Sequence, residues 1–474
     1  MKNVWTFLAG PALFALIWLG NPLELASDAA AVCGTVAWML TWWISETVPM
    51  PVTSLLPILL FPSLGIMSLE DSCAPYGDKY VFLFLGGFVL ALALEKWNLH
   101  RRLALNIIHR TGTGADRIVF GFLLASFAIS MWISNTATAL MMFPIASSVV
   151  NLLVDLPDDK LSRGHRNFST SVFLAIAYGS SIGGIATLVG SPPNAMMAGI
   201  LEENHQTEVT FTTWLSIGLP FALVLMLLCW VVLVKWIFPS RLGAFPLGRE
   251  VIRGQLDALG GWSYTERLIF GVFTVTALMW IFQAQLSRLF APMEWTDVNI
   301  AVLAAVALFI IPARRQQLQP ILEWSDTSRL PWGILLMFGG GLSLARAFRE
   351  SGLVEEIAGA IGTLDTNNLI ALVVVLCLTG LILTALMSNL AMVNIFVPVV
   401  AALAISLGES PEWFAIPVTI AASCDFMFPM STPPNAIAYG SGLIRSRDMF
   451  KAGLVLDLLS LALLAGLAWI ILRF

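Results

Sequence analysis

Met131-Trp132-Ile133-Ser134-Asn135-Thr136-Ala137-Thr138 and Ala385-Leu386-Met387-Ser388-Asn389-Leu390-Ala391 are two hydrophobic runs interrupted by the same dipeptide. Ser and Asn favour caps and turns over helix interiors, because their side chains compete for backbone hydrogen bonds. A lone Ser-Asn in a membrane span ordinarily serves a partner helix. Two at matched spacing instead predict the tips of helix-turn-helix hairpins. At such a tip, exposed N–H groups and the helix N-terminal dipole favour an anion, and carbonyls at the end of the preceding helix can hold Na+.

The matched spacing extends outward. Gly86-Gly87 corresponds to Gly340-Gly341, and 340 − 86 and 388 − 134 both equal 254. A third pair, Ser191-Pro192-Pro193-Asn194 and Thr432-Pro433-Pro434-Asn435, follows in the same order at a smaller offset, 433 − 192 = 241. Three marks in one order indicate an internal repeat. After the first Gly-Gly helix the connection carries Arg101, Arg102, Arg110 and Arg117 against Asp116. The equivalent stretch of the second half carries Arg349 against Glu350, Glu355, Glu356 and Asp365. Basic connections face the cytoplasm, so the repeats are expected to be inverted, an arrangement common in secondary transporters. Arg241, Arg249 and Arg253 put the connection between the halves on the cytoplasmic side by the same rule.

The composition fits a bilayer. Hydrophobic residues make up 58% and charged residues 12% of the 474-residue chain, against roughly 25% charged in a soluble domain, and mean hydropathy is +0.84. At about 20 apolar residues per span there is room for roughly ten helical spans and no separate soluble domain. The first apolar run, Val4 to Leu19, imitates a signal peptide but lacks a convincing cleavage site, and it reads as a retained first span. A net charge of −5 without a basic tract argues against nucleic acid as a partner. The cysteines Cys33, Cys73, Cys229, Cys377 and Cys424 form no C-x-x-C pair and read as small core residues. The four histidines, His100, His109, His165 and His205, fall in polar connections with no metal or nucleophile pairing, so an enzyme is not expected. A channel remains the other rival, and strict sodium dependence would separate it from a carrier.

Several apolar runs, 169 to 200 and 414 to 444 among them, are broken by Gly and Pro. Ala186-Thr187-Leu188-Val189-Gly190-Ser191-Pro192-Pro193-Asn194 and Phe428-Pro429-Met430-Ser431-Thr432-Pro433-Pro434-Asn435 cannot be uninterrupted helix, because each Pro removes a donor and restricts its predecessor. One such segment is a plain proline kink. Two related ones predict unwound helices that offer carbonyls to a hard cation and hydroxyls to a carboxylate. The fold expected is therefore an all-α polytopic membrane protein, with inverted repeats, two re-entrant helical hairpins and two unwound transmembrane helices.

Ser-Asn-Thr, the duplicated Ser/Thr-Pro-Pro-Asn, Ser423-Cys424-Asp425-Phe426, Asn435-Ala436-Ile437-Ala438-Tyr439-Gly440-Ser441-Gly442, Glu46-Thr47-Val48-Pro49-Met50-Pro51-Val52-Thr53 and Phe84-Leu85-Gly86-Gly87-Phe88 together resemble the divalent anion/sodium symporter family. The match runs from about the second span to the last. The resemblance implies sodium-coupled symport of di- and tricarboxylates in a bacterial inner membrane, by a homodimer whose protomers each join a scaffold to a moving part. It implies scaffold helices over 1–79 and 268–331, a first repeat over 80–237, a cytoplasmic connection over 238–267, and a second repeat with the terminal helix over 332–474. Carried over residue by residue, Asn135, Thr136, Ser388 and Asn389 contact the anion, with Ser191, Thr432 and Pro433 beside it. One sodium site uses Ser130, Ser134, Asn135 and the backbone at Gly190. The other uses Thr384, Ser388, Asn389 and the backbone at Ser431. Leu390 departs from Ser-Asn-Thr and removes a hydroxyl, which keeps succinate-like dicarboxylates, citrate and sulfate open, as well as sodium-independent exchange.

Other polar groups in apolar runs have plainer readings. Asp425 either tunes a cation site or pairs with a hydroxyl or helix end. Glu46 fixes a scaffold hairpin, Glu95 and Arg346 snorkel near helix ends, and the 17 tryptophans suit interfacial belts.

Overall fold

The computed structural model describes residues 4–22, 24–154, 163–243, 246–314, 317–353, 356 and 368–472. Glu355 and Asp365, two of the acidic residues in the charge reading, lie outside them. Helix dominates because a bilayer leaves backbone groups no water to bond, so each span must satisfy its own. The chain opens with α1 (Val4–Gly20) and α2 (Ser27–Ser45), then the short α3 (Met50–Thr53), α4 (Leu56–Ser63) and α5 (Leu69–Cys73). Pro51 and Pro57 sit in first helical turns, where no backbone donor is needed.

The first half follows as α6 (Lys79–Lys96), α7 (Leu99–Thr111), α8 (Ala115–Ser130), α9 (Asn135–Val154), α10 (Arg163–Ile185), α11 (Pro192–His205) and α12 (Phe211–Val231). A middle stretch holds α13 (Pro246–Ala258), α14 (Tyr264–Ile281), α15 (Gln283–Leu289) and α16 (Asp297–Ile310). The second half is α17 (Trp332–Glu350), α18 (Leu369–Thr384), α19 (Asn389–Ser406), α20 (Pro411–Ala422), α21 (Pro433–Gly440) and α22 (Ser446–Ile471). The order of elements repeats: a long Gly-Gly helix, two helices meeting at Ser-Asn, a helix that breaks, a Pro-Pro-Asn helix and a terminal long one. One departure from an all-α chain is a small antiparallel hairpin, β1 (Pro312–Arg314) with β2 (Gln317–Pro320), which caps α16.

Among the described residues six helices are long and apolar enough to cross a membrane by length and composition, and four more are apolar but shorter. The shortfall from roughly ten arises where hydrophobic runs stop early, as α18 does at Thr384. Every residue of α10 from Phe168 to Ile185 is buried within the protein, which makes it the central post of the fold. Around it α8 and α9 pack from the same half, while α18 and α19 pack around α20 in the second. The halves are also interlocked: α11 lies on α19, and α21 lies on α9.

Three features correct the reading of the sequence. Trp43, Trp214 and Trp280 are fully buried rather than interfacial. Their indole N–H groups donate to Met50 O at 3.3 Å, Ile185 O at 2.9 Å and Asp297 O at 3.0 Å, so each buried ring keeps its polar edge bonded. Arg102 is no loop charge either: it is buried, donates to Glu266 Oε1 at 2.7 Å and to Gly260 O at 2.8 Å, and ties α7 to the turn before α14. Glu95 and Arg346 do not simply snorkel, since they reach Arg329 at 3.7 Å and Asp71 at 2.6 Å.

Candidate functional site

The two Ser-Asn breaks fold alike. Helix α8 ends at Ser130 and α9 starts at Asn135; α18 ends at Thr384 and α19 starts at Asn389. Ser134 Oγ accepts from Ala137 N and Ser388 Oγ accepts from Ala391 N, both at 3.2 Å, so each serine caps its helix. The last hydroxyl of each preceding helix then turns to the asparagine. Ser130 Oγ donates to Asn135 Oδ1 at 2.7 Å, and Thr384 Oγ1 donates to Asn389 Oδ1 at 2.8 Å. Ser130 and Thr384 are fully buried, whereas Ser134, Asn135, Thr136, Ser388 and Asn389 are half-buried. Leu390 is packed into the apolar core at 7% exposure.

The Pro-Pro-Asn breaks are alike in a way the sequence reading did not assign. Asn194 Nδ2 donates to Gly184 O at 2.9 Å and Thr187 O at 2.8 Å. Asn435 Nδ2 donates to Asp425 O at 3.3 Å and Phe428 O at 3.1 Å. Each asparagine therefore reaches back ten and seven residues to carbonyls at the interruption of the helix. An amide with two N–H hydrogens on a short stem suits this bridging. The signal was visible as the repeated Asn of the motif, but its partners exist only once the helix has broken.

Tip and break meet in each half. Thr187 Oγ1 donates to Met131 O at 2.5 Å. Gly184 lets Asn135 approach, since a Cβ there would lie 2.5 Å from Asn135 Oδ1, and a Cβ on Gly190 would lie 3.1 Å from Met131 O. Ser130, Asn135 and Gly190 are thus brought to one place. In the second half the described bond runs from Thr384 Oγ1 to Ala422 O at 2.9 Å. One hydroxyl hydrogen cannot serve both Asn389 Oδ1 and Ala422 O. The hydrogen serves one of them at a time, and both oxygens stay within 2.9 Å of the hydroxyl. Ser431 Oγ donates to Phe428 O at 2.7 Å, Thr432 Oγ1 accepts from Asn435 N at 3.4 Å, and Pro433 is exposed. Ser191 is buried at the first break.

The donor set is hydroxyl, amide and carbonyl oxygen, which suits a hard monovalent cation. Among the described residues no group of three or more His, Cys, Asp or Glu is placed to hold a metal. The tips differ in mechanical support. Trp132 stacks on Trp280 at 6.4 Å and meets Phe273 edge-on at 4.8 Å, pinning the first tip to α14, whereas Leu386 of the second tip is exposed. At the far end of α11, Glu202 pairs with Lys79 and accepts from Tyr80 Oη at 2.9 Å, and Glu203 lies 3.6 Å from Arg349.

The whole chain, residues 1–474, matches the family model described as the sodium:sulfate symporter transmembrane region. It is 36% identical over 466 residues to the sodium-dependent dicarboxylate transporter SdcS of Staphylococcus saprophyticus, covering 96% of this chain and 89% of that protein. The SdcS protein of Staphylococcus aureus strain bovine RF122 is 36% identical over 462 residues, covering 96% and 88%. Two solved structures share the fold. The Alcanivorax borkumensis YdaH transporter has a TM-score of 0.54 at 16% identity over 99% of this chain and 98% of that one. Neisseria gonorrhoeae MtrF, described among antimetabolite efflux pumps, has a TM-score of 0.57 at 14% identity over 96% and 97%. With its full length matched and its relatives covered nearly end to end, the chain belongs to the sodium:sulfate symporter family of multi-pass membrane proteins.

Proposed function

We propose that the protein is a secondary active transporter that couples the entry of di- and tricarboxylates, of the succinate, malate, fumarate and citrate class, to sodium by alternating access. The observation that carries this reading is the duplicated hydroxyl-to-amide bond, Ser130 to Asn135 and Thr384 to Asn389, each at a helix start beside a broken helix. The dicarboxylate transporters named above, alike over nearly the whole chain, support the substrate class and the coupling ion.

In this reading α8–α9 and α18–α19 are re-entrant hairpins of two inverted repeats, 80–237 and 332–474. Residues 1–79 and 268–331 form the scaffold, and 238–267 connects the halves at the cytoplasmic face. Sodium binds at Ser130, Ser134, Asn135 and the Gly190 backbone, and at Thr384, Ser388, Asn389 and the Ser431 backbone. The anion then rests on the N–H ends of α9 and α19, where both helix dipoles favour negative charge. Asn135, Thr136, Ser388 and Asn389 touch it, with Ser191, Leu390, Thr432 and Pro433 beside it. Bound sodium offsets the carboxylate charge, which lowers the barrier to moving the loaded site against the scaffold. The protein works as a homodimer in a bacterial inner membrane, as a carrier and not an enzyme.

The test is uptake of radiolabelled succinate into proteoliposomes with and without an inward sodium gradient, with unlabelled citrate and sulfate as competitors. Sodium-driven accumulation blocked by citrate supports the reading. Uptake only into succinate-preloaded vesicles, indifferent to sodium, overturns it in favour of exchange, and competition by sulfate alone moves the substrate to the oxyanion that the family description names.

A further inference from the structure

The two breaks match in their asparagine bridges but not in what stands ten residues before each asparagine: Gly184 in the first half, Asp425 in the second. Asp425 is 1% exposed, and neither of its carboxylate oxygens has a hydrogen-bond partner. The Ser431 hydroxyl lies beside it but gives its hydrogen to Phe428 O. On the other side of the break α22 comes into backbone contact, since a Cβ on Gly453 would lie 2.3 Å from Phe426 O. That approach brings in Asp457, 6% exposed, whose Oδ1 accepts from Phe426 N at 3.2 Å. Two buried carboxylates therefore flank residues 425–426, each within electrostatic reach of the other.

Among the described residues neither enters an ion pair. A separate observation points the same way. The fully buried Asn435 side chain donates to Asp425 O at 3.3 Å and to Ser431 Oγ at 3.4 Å, and its Oδ1 is left without a partner among these groups. The pocket thus collects more acceptor oxygens than it has donors for: the Phe426 N–H serves Asp457 Oδ1, the Ser431 hydroxyl beside Asp425 is spent on Phe428 O, and among the described residues no side-chain cation reaches it. Burying negative charge without compensation is expensive, and oxygen donors of this kind answer it by binding a hard cation.

We propose that the second break holds a further sodium ion, bound by the Asp425 and Asp457 carboxylates and Asn435 Oδ1, separate in its donors from the ions at the two tips. This rests on the sodium-coupled reading above. The site is anionic when empty, so it loads before the neutral tip sites. By drawing α22 onto the break, it also couples the terminal helix to the ion count.

The test uses the purified full-length protein. Equilibrium binding of ²²Na+ is measured for the wild type, Asp425→Asn and Asp457→Asn, together with the ²²Na+ to succinate flux ratio in proteoliposomes. The expected result is a loss of about one bound sodium per chain in each variant and a matching fall in the flux ratio. Sodium binding by the wild type with unchanged counts in both folded variants overturns this site and leaves the symporter reading standing. A wild type that binds no sodium overturns the symporter reading itself. Should a variant not fold, carbodiimide labelling of the wild type, read by mass spectrometry, decides: sodium, but not choline, is expected to shield Asp425 from modification. Equal labelling in both salts overturns the proposal.

Discussion

Asn135 and Asn389 each hold an amide oxygen against a buried hydroxyl while the rest of the side chain stays half-exposed, which is why both are proposed to contact ion and anion. Asn135→Ala and Asn389→Ala are each expected to abolish succinate uptake while the purified protein keeps its size-exclusion profile; wild-type uptake in either would remove that residue from the site. Leu390 occupies the place of Thr136 in the other half, so Leu390→Thr is expected to shift the ranking of succinate, citrate and sulfate in competition assays. The bridging asparagines carry a different load. Replacing Asn435 by Ala strands the buried Asp425 carbonyl, while Phe428 O keeps its bond from Ser431, at about 1–3 kcal/mol for the unsatisfied group. A lower apparent melting temperature in detergent checks it. The tip residues were legible in the sequence because hydroxyl, serine and asparagine recur at one spacing. Asp425 was not, because a carboxylate with no partner and one that caps a helix look identical in a string of letters.

The helix interruptions were legible at the level of elements, since Pro192-Pro193 and Pro433-Pro434 cannot sit inside a continuous span. Less legible was the difference between offsets, 254 − 241 = 13. It arises between tip and break, where α10 has 23 residues and α20 has 12. The tryptophans misled, because count alone does not separate a ring at the membrane surface from one buried with its N–H bonded to a carbonyl. Gly184→Ala tests the packing of tip on break directly. Its Cβ would lie 2.5 Å from Asn135 Oδ1, so uptake is expected to fall as far as in Asn135→Ala, and normal uptake would show that the tip can retreat without loss.

Across the whole molecule, packing of α11 on α19 and α21 on α9 makes each half complete the other. Residues 1–243 and 246–474, expressed separately, are each expected to be degraded; co-expressed, they are expected to co-purify and transport. Stable, folded single halves would show that the crossed contacts are dispensable. Duplication was visible in the sequence at this scale, and the interlock was not, because periodicity along a chain carries no information about which copy touches which. The same holds for charge. Arg102 contributed to the inside-positive reading, yet it is buried in a clamp with Glu266.

The asparagine bridges also bear on when ordering costs are met. By closing each break within the protein itself, Asn194 and Asn435 set one wall of each proposed ion site during folding, so little chain entropy remains to be lost there when an ion arrives. That loss falls on residues 131–134 and 385–388 instead. Sodium affinity in this protein is therefore expected to be tuned by the stiffness of those two four-residue turns, and the breaks behave as a preset reference against which the turns close.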